Sequence, residues 1–125
     1  IYIAPAKASE ATLEAVSANS RGYIYAISRD GVTGADKEAT VEGLREVVDN
    51  VQKFGGAPVL LGFGISRPKH VRDAIAAGAA GAITGSAITN IIDKYIDGNR
   101  VTDMDALKTE LTEYVAAMKG ATIAS

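Results

Sequence analysis

Two short glycine-rich stretches carry the residues best suited to chemistry. One is Leu61-Gly-Phe-Gly-Ile-Ser66 and the other is Gly81-Ala-Ile-Thr-Gly-Ser-Ala-Ile88. Each reads as an apolar strand that breaks off into a helix. Gly85, Ser86 and Ala87 open the later helix, and a helix start presents unpaired N–H groups and the positive end of the dipole. Such an end suits an anion. Gly85 lacks a β-carbon and lets a phosphate approach the backbone, while Ser86 can cap the helix or donate its hydroxyl. The pair reads as a phosphate site at the ends of two parallel strands. The plainer alternative is that Gly85-Ser86 is only a strand–turn–helix connection, since short glycine motifs recur widely.

The rest of the composition removes other chemistries. There is no cysteine, so disulfides and thiolate metal sites are excluded, and the single histidine, His70, leaves no histidine cluster for a metal. His70 lies early in a helix beside Lys69 and Arg72 and is read as a solvated surface residue. The net charge of −2 gives no reason to expect nucleic acid or an anionic membrane as partner. No apolar run is long enough to span a bilayer and no signal peptide is visible, so a cytoplasmic location is expected. Hydrophobic residues at 47% and charged residues at 22% are ordinary globular values, and 125 residues suffice for one domain with a core. The chain opens directly on an apolar strand, Ile1-Tyr-Ile-Ala4, which reads as a fragment of something longer.

The elements that must position the glycine turns alternate along the chain. Strands are expected at 1–4, 23–27, 58–63 and 81–84. Helices are expected from Ser9 to about Asn19, Thr40 to Phe54, Ser66 to Gly78, Ser86 to about Ile96 and Thr102 to Lys119. Val41, Leu44, Val47, Val48 and Val51 recur at three and four and give the second helix one buried face. In the other helices the inward residues are Ala11, Leu13, Val16 and Ser17, then Val71, Ile75 and Ala76, then Ile88, Ile91 and Ile92. The last helix contributes Met104, Leu107, Leu111, Tyr114, Val115 and Met118. Ser66 is the expected cap of the third helix, with Pro68 in its first turn. The strand Tyr23-Ile-Tyr-Ala-Ile27 is nearly all apolar, as for a strand covered on both faces. Asp103, Asp105, Glu110 and Glu113 read as a solvated face. Strands alternating with helices imply a parallel sheet. An open doubly wound sheet fits, and so does half of a (β/α)8 barrel, since a full barrel takes ~250 residues.

Three stretches in register decide between these. Arg21-Gly-Tyr-Ile-Tyr-Ala-Ile-Ser-Arg-Asp-Gly-Val-Thr-Gly-Ala35 resembles the sixth strand and sixth loop of the tryptophan synthase α subunit family. Gly62-Phe-Gly-Ile-Ser66 resembles its seventh strand turn, and Gly78-Ala-Ala-Gly-Ala-Ile-Thr-Gly-Ser-Ala-Ile88 its eighth. The resemblance runs through essentially the whole chain, and Ala116-Ala-Met-Lys119 resembles the family's C-terminal helix. It implies an α/β fold, half of a (β/α)8 TIM barrel with four βα units plus one extra helix. Residues 1–125 would form a single C-terminal half-barrel, strands five to eight. The family's activity is the retro-aldol cleavage of indole-3-glycerol phosphate to indole and glyceraldehyde 3-phosphate, without metal or organic cofactor, with a β subunit as partner.

Residue by residue, the resemblance implies that Gly34, Gly64, Gly85 and Ser86 bind the substrate phosphate. Phe63 would pack on the glycerol phosphate and indole, and Tyr25 would line the indole pocket. Thr33 would support catalysis from a lid loop, with Arg29 in the same lid. Two departures stand out: Pro5-Ala6-Lys7 replaces the usual Pro-Pro-Asn, and Asp30 stands where a small polar residue is usual. The family's two catalytic carboxylates lie on the other half of the barrel. Cleaving the indole–glycerol bond needs acid–base groups on the ring and on a glycerol hydroxyl, and no paired carboxylates follow the strands here. The chain alone is therefore expected to be inactive. Its missing partner is either the N-terminal half or a second half-barrel; the latter would be a self-associating module that binds phosphate esters without converting them.

Overall fold

The computed structural model describes residues 1–5, 7–27 and 43–123. Within them, β1 (Ile3–Ala4), β2 (Ile24–Ile27), β3 (Val59–Gly62) and β4 (Gly81–Ala82) form one sheet in the order β1-β2-β3-β4, parallel throughout. The helices are α1 (Glu10–Asn19), α2 (Leu44–Lys53), α3 (Pro68–Ala76), α4 (Ser86–Asp93) and α5 (Met104–Gly120). Four βα units and one extra helix are therefore present, as expected. A hairpin of β5 (Ile96–Asp97) and β6 (Arg100–Val101), turning at Gly98, separates α4 from α5. It replaces the last turn expected of the fourth helix.

Register explains the layers. Ala4, Ala26, Leu61 and Ala82 lie in one row across the sheet, and Ile3, Tyr25, Leu60 and Gly81 in the next. Successive side chains of a strand point to opposite faces. The first row faces the helices, where Ala4 and Leu61 are fully buried and Ala26 nearly so. Leu13 and Val16 of α1, Val47, Val48 and Val51 of α2, and Val71 and Ala74 of α3 complete this core. The second row faces away. Ile3 is 58% exposed, and Tyr25 and Leu60 are half-buried. The strand at 24–27 is thus covered on one face, not both, because the described residues supply helices to one side only.

The helices follow local rules. Ser9 caps α1 by accepting the Thr12 N–H at 3.2 Å, and Asp103 caps α5 by accepting the Ala106 N–H at 3.0 Å. Arg67, not Ser66, is the cap residue of α3, and Pro68 takes the first helical position, where a missing N–H costs nothing. Arg45 donates to the Ala76 carbonyl at 2.9 Å and so closes the C-terminal end of α3 from α2. Ala11, Ala76, Met104 and Val115 turn outward, against expectation, whereas Leu107 and Met118 are buried. Ion pairs join helices, among them Glu10–Lys53 at 2.6 Å between α1 and α2 and Lys94–Glu110 at 2.7 Å between the end of α4 and α5. Both are exposed and add little stability.

Leu61 joins the two layers at the sheet centre with no exposure. Leu61→Ala is expected to destabilise the chain by about 2–5 kcal/mol, through lost transfer energy and the cavity left behind. Urea unfolding measures this; a loss below about 1 kcal/mol would mean that Leu61 is not packed as described.

Candidate functional site

The carboxyl ends of β3 and β4 bring the two glycine stretches together. The Ile83 N–H donates to the Leu61 carbonyl at 2.8 Å, which carries the strand pairing one residue past β4. After β3 the chain turns sharply. Phe63 has φ 77° and Gly64 has φ 79°, two left-handed residues in succession. Glycine adopts this conformation freely, but for phenylalanine it costs about 1–3 kcal/mol and persists only where the surroundings enforce it. Phe63 and Gly64 are both half-buried.

The helix starts that follow the two strands differ. At α3, the Ser66 and Arg67 N–H groups donate to Nδ1 of His70 at 3.1 and 3.2 Å. Pro68 has no N–H, so the positive end of α3 is largely consumed from within. His70 is only 2% exposed. The expectation of a solvated histidine is therefore wrong: the ring is a buried acceptor that folds back on its own helix start, and accepting two N–H groups requires Nδ1 to be unprotonated. At α4 the first intrahelical bonds run from Ile88 and Thr89 to the Gly85 carbonyl, at 2.9 and 3.2 Å. The N–H groups of Gly85, Ser86 and Ala87 lie ahead of that ladder. Gly85 is the cap residue, has φ −138°, and has open space where a β-carbon would be. Gly85 and Ser86 are exposed. Unlike α3, this helix start has no side-chain cap.

Tyr25 sits on the sheet face away from the helices. Its ring covers Gly62, and a β-carbon at Gly62 would fall on the ring. Tyr25, Phe63 and Gly64 therefore border one end of the sheet, at the level where Gly85 and Ser86 begin α4. Thr33 and Gly34, with Arg29 and Asp30, lie outside the described residues.

Two residues that sequence reasoning passed over support this end. Thr84 donates its hydroxyl to the Ile65 carbonyl at 2.8 Å, and the Tyr114 hydroxyl of α5 lies 2.7 Å from the same Thr84 oxygen. Tyr114 was expected only to pack. Nearby on α5, Glu110 accepts from Lys94 at 2.7 Å and from the Tyr95 hydroxyl at 3.0 Å. The Lys94 bond, then the Tyr95 bond, hold its carboxyl below the usual range; the same contacts hold the Lys94 ammonium and the Tyr95 phenol above theirs. This trio fastens the end of α4 to α5.

Known proteins show which family the chain belongs to. The family model for the tryptophan synthase alpha chain matches residues 1–121. The chain belongs to the tryptophan synthase alpha chain family. The alpha chain of Corynebacterium efficiens is 65% identical over 98% of this chain, and that of Vibrio vulnificus is 45% identical over 98%. This chain spans 45% and 43% of those two relatives. Among solved structures, a Mycobacterium tuberculosis tryptophan synthase aligns over 98% of this chain and 41% of its own, with a TM-score of 0.73 at 24% identity. A mutant α-subunit from Pyrococcus furiosus aligns over 95% and 44%, with a TM-score of 0.69 at 21% identity. These structures establish the fold: the sheet is a partial barrel of this family.

His70 is the residue by which the α3 start can be tested. His70→Ala removes two accepted hydrogen bonds and a buried ring, and is expected to cost about 2–4 kcal/mol of stability in denaturant unfolding. A change within about 0.5 kcal/mol would show that the ring does not serve as the cap.

Proposed function

We propose that this chain is the C-terminal half, strands five to eight, of a tryptophan synthase α-type lyase. Residues 1–125 then form one half-barrel domain that grips the phosphate of indole-3-glycerol phosphate. The observation that carries this reading is the open start of α4 beside the left-handed Phe63-Gly64 turn, in a chain whose family membership is shown. Gly64, Gly85 and Ser86 supply N–H donors and a hydroxyl to the phosphate. A dianion at a helix start is favoured by the dipole and by the unpartnered amides together. Phe63 and Tyr25 offer the aromatic surface that an indole and a glycerol chain would lie against. Gly34 adds a further phosphate donor and Thr33 takes the lid role, as the resemblance implies.

Chemistry requires more than this half holds. Releasing indole needs a proton delivered to the ring carbon and another removed from the glycerol hydroxyl, as the carbon–carbon bond breaks and the aldehyde forms. In such barrels these groups sit at the carboxyl ends of strands. Here β1 is followed by Pro5, β3 by Phe63-Gly64 and β4 by Ile83-Thr84-Gly85. None of these can act as the carboxylic acid or base; Asp30, after β2, lies outside the described residues and is a single acid, not a pair. On this reading both carboxylates belong to the remainder of the barrel, as the resemblance implies. A tryptophan synthase β subunit is the partner that takes up the indole, in the cytoplasm. Among the described residues no helix is long and apolar enough to cross a membrane.

The uncovered sheet face favours a second reading. Ile1, Tyr2 and Ile3 are 65%, 55% and 58% exposed, and the β1 and β4 edges have no further strand beside them among the described residues. A second copy could cover that face, giving a self-associating half-barrel that binds phosphate esters. Light scattering of the purified chain separates the two: a monomer counts against the second copy, and a dimer that binds phosphate favours it.

Two experiments test the lyase reading. Replacing the matching segment of the Corynebacterium efficiens alpha chain with this chain should give a chimera that releases indole from indole-3-glycerol phosphate, whereas the 125 residues alone release none. An inactive but folded chimera overturns the assignment. In that chimera Gly85→Ala places a methyl group where the phosphate must approach. It should raise KM at least tenfold while costing at most about 1 kcal/mol of stability, because the site has open space and alanine replaces glycine at a helix cap. An unchanged KM would remove the phosphate from Gly85.

A further inference from the structure

We propose that Tyr114 and Thr84 form a positioning clasp that fixes the spacing between the two phosphate-binding turns. This inference rests on the phosphate assignment of Gly64, Gly85 and Ser86. The hydroxyl of Thr84 has a single proton. It donates that proton to the Ile65 carbonyl at 2.8 Å. The contact of 2.7 Å between Thr84 Oγ1 and the Tyr114 hydroxyl must then run the other way, with Tyr114 as donor. The result is a directed chain, Tyr114 to Thr84 to Ile65.

The location of the chain gives it its role. Thr84 immediately precedes Gly85, and Ile65 immediately follows Gly64. The Ile83 N–H joins the two segments by a backbone bond to the Leu61 carbonyl. Each strand then runs on toward its own helix, and the Thr84 hydroxyl adds a side-chain connection at Ile65, one residue past Gly64. Ile65 is 4% exposed, so its side chain is anchored in the core beneath the turn. Tyr114 adds a third support, because α5 packs against both α3 and α4. A phosphate that accepts from both turns needs their donors at a fixed separation, since hydrogen bonds weaken steeply with poor geometry. Holding that separation before the ligand arrives removes an ordering cost from binding. Neither Tyr114 nor Thr84 is required to touch the phosphate.

The test is titration of the full chain with inorganic phosphate and with glycerol 3-phosphate, followed by the amide resonances of Gly64, Gly85 and Ser86. The variants are Tyr114→Phe, Thr84→Val and Thr84→Ser, each with its thermal midpoint. In the unsubstituted chain both ligands should shift all three amides. Tyr114→Phe should weaken binding roughly three- to tenfold, the scale of one hydrogen bond. Thr84→Val keeps the shape but breaks both bonds, and should weaken it more than tenfold. Thr84→Ser keeps the hydroxyl and should restore affinity to within about threefold. Phosphate affinity unchanged in Thr84→Val, or lowered as much in Thr84→Ser, overturns the clasp even if the midpoints fall, because a merely structural role moves stability and not the affinity of the folded chain. Should Thr84→Val fail to fold, Tyr114→Phe decides alone: tight binding there overturns the proposal. If the unsubstituted chain shows no shifts at Gly64, Gly85 and Ser86, the phosphate reading falls and the clasp with it.

Discussion

The parallel register of the four strands is the constraint on which the rest of the structure depends. It places Ala4, Ala26, Leu61 and Ala82 in one row toward the helices and Ile3, Tyr25, Leu60 and Gly81 in the row behind. A slip of one residue would exchange the rows and turn Leu61 out of the core. The same register also sets the level at which β3 and β4 end, and hence where their turns lie. Core packing and site assembly are therefore one decision. Burial of Leu61 holds Gly62 in place, Gly62 leaves room for the Tyr25 ring, and the ring in turn borders the end of the sheet where Phe63 and Gly64 turn the chain.

Two helices leave that end of the sheet, and their starts are chemically unlike. The first has the two N–H groups ahead of it held by a buried imidazole and a proline at its first position. The second begins with an exposed glycine and serine. Dipole strength alone would not separate them, since each helix presents a comparable positive end. Availability of donors does. An anion must find N–H groups that no protein acceptor already holds, and His70 removes α3 from that competition. On the proposed assignment the buried ring, far from idle, favours α4 and the left-handed turn beside it as the binding region.

Much of this was readable from residue order. The alternation of apolar strands with helices gave a parallel sheet, the resemblance of three stretches chose a partial barrel over an open sheet, the valine spacing of α2 gave its buried face, and the two glycine turns lay at strand ends where they were expected. What was missed has physical causes. His70 was judged by its charged neighbours Lys69 and Arg72, yet a ring at the third position of a helix can reach back to the cap backbone, and that geometry outweighs local polarity. Met104 and Val115 satisfy helical spacing but face outward, because periodicity states which residues share a face and not whether another element covers it. The β5–β6 hairpin is two residues per strand, too short for a period-two pattern to register. The link between Thr84 and Tyr114 spans 30 positions, and no local spacing rule can reveal such a contact.

The proposed division of labour between phosphate grip and acid–base groups has an energetic logic. A phosphate held at the end of β3 and β4 is remote from the bond that breaks. Binding energy gained there can be used to hold the indole and glycerol carbons in a reactive orientation, which lowers the barrier only if the grip is rigid. Rigidity is what this half of the barrel provides: a strained Phe63 that persists because its surroundings enforce it, a helix start closed by His70, and a second start held to the first turn by side-chain bonds from Thr84 and Tyr114. A loose grip would still bind phosphate, but the reacting carbons would then sample positions the distant carboxylates cannot serve. On the proposed assignment, the parts of this chain that never touch the reacting bond thus bear on the rate of breaking it.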